Sequence, residues 1–81
     1  MTEEQLRETI FRLLRPIAPE ADFGGLDADE NLWQTLDIDS YDVLNFFITL
    51  YEDLGVEIPE EDYGKIITLN DLVSYLLSRI S

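Results

Sequence analysis

Ser40 stands between two carboxylates in Asp39-Ser40-Tyr41-Asp42, at the head of the apolar-rich run Val43 to Leu54. A serine hydroxyl is a weak nucleophile unless a neighbouring base activates it. The chain has no histidine and no cysteine, and no Lys or Arg lies between Pro16 and Gly64. Ser40 is therefore poorly placed to attack anything and better suited to being acted upon. No catalytic residue is assigned. The ordinary role of a serine at the start of a helix is to cap it, accepting from an N–H two or three residues on.

A second cluster, Asp27-Ala28-Asp29-Glu30-Asn31, places oxygen ligands at alternate positions, as a calcium loop does. The pattern then breaks. Leu32 stands where the loop needs glycine and Ile38 where it needs glutamate, so no metal site is assigned.

Charge narrows the classes further. Eighteen acids face five bases, a net of −13. Nucleic acid is excluded as a partner, because phosphate backbones are held by Lys and Arg. A field of this sign steers basic protein surfaces instead. With hydrophobic residues at 46%, the chain has the apolar content to fold. Without cysteine it has no disulfide framework. No apolar run reaches membrane-spanning length, and Met1-Thr2-Glu3-Glu4 is acidic where a signal peptide is basic. The expectation is a cytoplasmic monomer forming a single domain over residues 1–81, with no membrane partner.

The elements that must position Ser40 follow from periodicity. Thr2 with Gln5 forms a capping box, and Leu6, Ile10, Leu13, Leu14 and Ile17 recur on one side. A first helix is predicted from Glu3 to Arg15, stopped by Pro16 and Pro19. Residues 17–39 read as a long connection pinned by Phe23, Leu26, Leu32, Trp33 and Leu36. The second helix is predicted from Ser40 to Leu54, with Gly55 as its stop. It carries two apolar stripes: Val43, Phe46, Phe47, Leu50 and Leu54 face a core, and Tyr41, Leu44, Ile48 and Tyr51 form an exposed patch with an acidic rim. Glu57 to Gly64 reads as one short helical turn. The last helix opens at Thr68, paired with Asp71, and buries Leu69, Leu72, Val73, Leu76 and Ile80. The fold class is all-α: a small bundle of three main helices and one short one, with a long loop between the first and second helices.

Three blocks in register carry a resemblance. Asp39-Ser40-Tyr41-Asp42, then Glu52-Asp53-Leu54-Gly55-Val56-Glu57-Ile58-Pro59, then Lys65-Ile66-Ile67-Thr68-Leu69 are together similar to the acyl carrier protein family over nearly the whole chain. The resemblance implies that Ser40 is the attachment point of 4′-phosphopantetheine, placed there by a phosphopantetheinyl transferase, with Asp39 beside it. It implies a non-enzymatic carrier that holds acyl groups as thioesters for fatty-acid, lipid or polyketide-type biosynthesis. Its partners would be acyl-loading, condensing or acyltransferase enzymes with basic docking patches. They would meet Tyr41, Asp42, Leu44, Asn45, Ile48, Glu52, Glu57, Glu60 and Glu61. Phe46, Phe47, Leu50 and Leu54 would line an interior that shelters a growing chain. A phosphodiester at Ser40 would meet the positive end of the helix dipole, while Asp39 and Asp42 would keep the group swung out.

The chain also departs from the family. Asp37 stands where glycine is common, Tyr41 where leucine is usual, and Asn45 and Tyr51 replace acids. These departures point to a specialised rather than a housekeeping carrier. An aminoacyl or peptidyl carrier of the same fold and an unmodified acidic adaptor for basic partners are the other readings left open.

Overall fold

In the computed structural model, which describes residues 1–80, α1 runs from Glu3 to Leu14. Its capping box is formed as expected: Gln5 N–H donates to Thr2 Oγ1 at 3.1 Å, and Thr2 N–H donates to Gln5 Oε1 at 2.9 Å. Leu6, Ile10 and Leu14 are fully buried, which sets the inward side of the helix. Arg15 closes it, its N–H donating to the Phe11 carbonyl, and Pro16 cannot extend it.

The connection after α1 is more ordered than its sequence suggested. A 3₁₀ turn at Phe23–Gly25 is held by the Asp22 carboxylate, which accepts from Gly24 N–H at 3.1 Å. Phe23 stacks on Phe11 of α1, 5.2 Å between ring centres. A short helix, α2, follows at Leu32–Thr35, started by Asn31 Oδ1 accepting from Gln34 N–H. One turn of helix is too short for apolar periodicity to register, which is why the reading of a plain loop missed it. Its C-terminus is a Schellman arrangement: Asp37 N–H donates to Gln34 O and Ile38 N–H to Trp33 O, both at 3.1 Å. Asp37 sits in the left-handed region at φ 55°, where glycine is the usual residue.

α3 spans Ser40–Leu54, with the boundaries expected. Gly55 ends it at φ 71°, its N–H donating to Tyr51 O at 2.8 Å. The short turn expected at Glu57–Gly64 starts later, as a 3₁₀ helix at Glu60–Lys65, because Pro59 is still extended at ψ 149°. α4 spans Leu69–Ile80; Thr68 and Asp71 cap it reciprocally, at 3.0 and 3.1 Å.

α1 packs against both α3 and α4, so the bundle is assembled around the first helix. Phe46 and Leu50 of α3 and Leu72 and Leu76 of α4 are fully buried. Each such side chain contributes about 1.5–3 kcal/mol by leaving water. Four aromatic rings knit α2, α3 and the 3₁₀ segment together. Trp33 lies 6.0 Å from Phe46 and 5.8 Å from Phe47, and Phe47 lies 4.9 Å from Tyr63. Among the described residues there is no strand, only an isolated bridge between Asn31 and Thr68. No described helix is long and apolar enough to cross a membrane.

Candidate functional site

Ser40 is the first helical residue of α3, and its side chain is exposed. It is not the cap. Asp39 takes that place: its Oδ1 accepts from Asp42 N–H at 2.9 Å while its backbone stays extended. A carboxylate one residue earlier satisfies the orphan donor and adds a favourable charge at the positive end of the dipole. Among the described residues no hydrogen bond holds the Ser40 hydroxyl. The N–H groups of Ser40 and Tyr41, in the first turn, have no intrahelical acceptor.

Two shallow grooves open beside that hydroxyl. One, of about 360 Å³, is lined by Trp33, Ile38, Val43, Leu44, Tyr63 and Ile67 along with Ser40. The other, of about 480 Å³, is bounded by Ser40, Tyr41, Leu44, Glu60 and Tyr63. A third groove of about 230 Å³ lies further along α3, between Ile48, Tyr51, Glu57 and Tyr63. Tyr63 borders all three. From the sequence Tyr63 reads only as an apolar anchor of the short turn and not as a site residue, because its contact with Phe47 joins residues far apart in the chain and no local spacing signals it.

Phe46, Phe47 and Leu50 lie in the interior as the core stripe of α3, Leu54 is half-buried at its end, and Phe47 also reaches the groove at Tyr51 and Tyr63.

The second stripe of α3 faces outward: Tyr41 is 70% exposed, Tyr51 54%, Ile48 47% and Leu44 39%. Glu52, Glu57, Glu60 and Glu61 are also exposed, whereas Asp42 and Asn45 are half-buried. The structure thus brings Tyr41, Leu44, Ile48, Tyr51 and Glu52 onto one side of α3, with Glu57 and Glu60 across the grooves. Asp53, beyond Glu52, is turned toward α1 and pairs with Arg12 at 3.0 Å.

One carboxylate of the 3₁₀ segment behaves differently from its neighbours. Asp62 is buried; its Oδ2 accepts from the Tyr75 hydroxyl at 2.8 Å and its Oδ1 from Lys65 Nζ at 3.2 Å. Arg79 approaches it at 3.8 Å and lies over the Tyr75 ring. The Tyr75 hydrogen bond, then that of Lys65, holds the Asp62 carboxyl below its ordinary value. Burial, then the bond to Asp62, pushes the Tyr75 phenol up. This cluster ties the segment carrying Tyr63 to α4.

The Asp27–Asn31 cluster is occupied by structural bonds. Asp27 accepts from Asp29 N–H, Asp29 accepts from Asn70 Nδ2, and Asn31 caps α2. Among the described residues no group of three or more acidic, His or Cys side chains is placed to hold a metal ion.

A small all-α bundle that presents an exposed, unbonded serine at the head of an acid-flanked amphipathic helix has the build of a helical carrier domain. No protein-family model matches the chain. It is similar to the acyl carrier protein of Lactobacillus acidophilus, 35% identical over 78 residues and 96% of each chain. The acyl carrier protein of Campylobacter hominis is 32% identical over 73 residues, 90% of this chain and 86% of that one. That of Renibacterium salmoninarum is 36% identical over 62 residues, 76% of this chain and 72% of its own. The chain belongs to the acyl carrier protein family.

Proposed function

We propose that the protein is a carrier rather than an enzyme, and that Ser40 is the residue through which it carries. The observation that supports this most is the division of labour at the head of α3. Asp39 caps the helix, so the Ser40 hydroxyl is exposed and uncommitted. A phosphopantetheinyl transferase with coenzyme A would bond that oxygen to the phosphorus of the pantetheine phosphate. Adenosine 3′,5′-bisphosphate would leave, and the hydroxyl proton would pass to a base of the transferase.

The residues present suit 4′-phosphopantetheine. The first-turn N–H groups of Ser40 and Tyr41 would donate to its phosphodiester. Trp33, Ile38, Val43, Leu44 and Tyr63 would offer its arm an apolar wall. The bound group supplies a thiol on which acyl groups are held as thioesters, a function this cysteine-free chain has no residue to perform. Asp39 and the half-buried Asp42 would weaken the contact with those N–H groups by like-charge repulsion, leaving the arm loosely held and mobile. Biosynthetic enzymes that load, extend or remove the acyl group would meet the exposed side of α3, at Tyr41, Leu44, Ile48 and Glu52, with Glu57, Glu60 and Glu61 at its edge. Both transferase and enzymes would be cytoplasmic.

The test is intact mass before and after incubation with a broad-specificity phosphopantetheinyl transferase and coenzyme A. The wild type gains one phosphopantetheine, or carries it on isolation, and Ser40→Ala does neither. A folded wild type that is never modified would leave an unmodified acidic adaptor as the better account.

A further inference from the structure

We propose that Tyr63 decides which acyl groups the protein shelters: it walls off a surface groove, outside the aromatic core, that holds short, uncharged acyl chains and leaves longer ones in solvent. This rests on the carrier reading and deepens it by naming the class of cargo.

Tyr63 stands where the surface grooves meet. Its half-buried ring lies 4.9 Å from that of Phe47. The two grooves beside Ser40 lie to one side of it, and the groove of Phe47, Ile48, Tyr51 and Ile58 to the other. Tyr63 is the lining residue that this far groove shares with both near ones. Its neighbour fixes it there. Asp62 turns the opposite way and is held by Tyr75 and Lys65, so the backbone beneath the ring is anchored to α4. The way inward is taken by other rings: buried Phe46 lies 6.0 Å from both Trp33 and Phe47.

Reach selects the occupant. The arm has about thirteen bonds from phosphorus to sulfur, and at roughly 3.3–3.6 Å per three bonds it extends roughly 15 Å. Ile48 and Tyr51 lie roughly 12 and 16 Å along α3 from Ser40. An arm laid past Tyr63 therefore brings its acyl group to the far groove, whose floor, Phe47 and Ile58, is buried and apolar. That groove measures about 230 Å³. At about 30 Å³ for a group the size of water, it takes an acyl chain of about eight carbons or fewer. Charge excludes a further class. Glu57 borders the far groove and Glu60 a near one, and no Lys or Arg lines any of the three. A carboxylate-ended acyl group would meet like charge there and no base to offset it.

The test loads the full chain with straight acyl chains of about two to sixteen carbons, each methylene adding a similar apolar area, and reads the melting temperature of each form. The same transferase with the corresponding acyl-coenzyme A does the loading. Wild-type melting should rise by about 4 °C or more between about two and eight carbons, as methylenes are buried, and stay level beyond. A short chain ending in a carboxylate should melt no higher than the protein with its arm unloaded. Tyr63→Phe, which keeps the ring, should show the wild-type limit. Tyr63→Ala should join the far groove to the near one at Trp33, so that melting climbs on past about ten carbons. The emission of Trp33, the one tryptophan of the chain, should then shift with the longer chains.

A folded Tyr63→Ala with the wild-type limit would overturn the proposal and leave Tyr63 a packing residue. So would a wild type whose melting keeps rising to about sixteen carbons, a result that needs no variant to fold. A carboxylate-ended chain that stabilises as much as a neutral one would overturn the selection by charge. A wild type that is loaded but melts alike at every length would overturn this inference and leave the carrier reading standing. A folded wild type that the transferase never modifies would overturn the carrier reading, and this inference with it.

Discussion

Asp39 Oδ1 lies 2.9 Å from the backbone nitrogen of Asp42, so the carboxylate next to Ser40, and not the hydroxyl of Ser40, holds the start of α3. The consequence is a helix end that is stable whether or not that hydroxyl is free. Asp39→Ala should cost about 1 kcal/mol, and Asp39→Asn, which can still cap, much less. In a domain of this size the alanine variant should melt about 4–8 °C below wild type. Equal melting of the two variants would show that charge rather than capping is what Asp39 contributes.

Asp37 is the described non-glycine residue with positive φ, at 55°. An L side chain in that region is strained, and glycine is not. Asp37→Gly should therefore match or exceed wild-type stability, by up to about 1 kcal/mol, despite the greater freedom it gives the unfolded chain. Asp37→Val, β-branched, should be clearly destabilised. The denaturant midpoint of Asp37→Gly should lie at or above that of wild type, and that of Asp37→Val clearly below it.

Acid should expose the contribution of Asp62 and Asp71. The Tyr75 hydroxyl and then Lys65 lower Asp62; the N–H groups of Thr68 and then Ile67 lower Asp71. A folded-state value below the unfolded one means the unfolded chain binds more protons in that interval, so stability rises with pH there. The contribution is complete above the ordinary value of 3.8 and is lost as pH falls through the lowered folded values. The stability gap between wild type and Asp62→Asn should be constant near neutrality and narrow below that point. Tyr75→Phe, which removes the largest cause acting on Asp62, should narrow the same gap. A gap unchanged down to the acid transition would refute this assignment.

Trp33 Nε1 donates to the Ile66 carbonyl at 2.9 Å, joining α2 to the approach of α4. Trp33→Phe keeps a ring against Phe46 and Phe47 but leaves that carbonyl without its donor. The loss should be about 1 kcal/mol, the net contribution of a part-buried hydrogen bond. Hydrogen exchange should show the α2 region opening more readily in the variant, while α1 keeps its protection.

Sequence alone determined the parts whose signals are local. The Thr2–Gln5 and Thr68–Asp71 caps, the Ser40 and Gly55 limits of α3 and its two stripes all depend on residues within a few positions of each other. Helical periodicity over fifteen residues is enough to show which stripe is buried. Short elements escaped it. α2 buries Leu32 alone and leaves no period to read, and the 3₁₀ segment shifted because Pro59 stays extended. Only the tertiary structure decided that Asp39 rather than Ser40 would cap, since both residue types are good caps and the backbone's entry angle chooses between them. It also decided that Asp62, alone among the acids of its segment, would turn inward to Tyr75. The grooves beside Ser40 likewise exist only because folding brings Trp33, Leu44, Tyr63 and Ile67 together, contacts between residues too distant in the chain for spacing to encode.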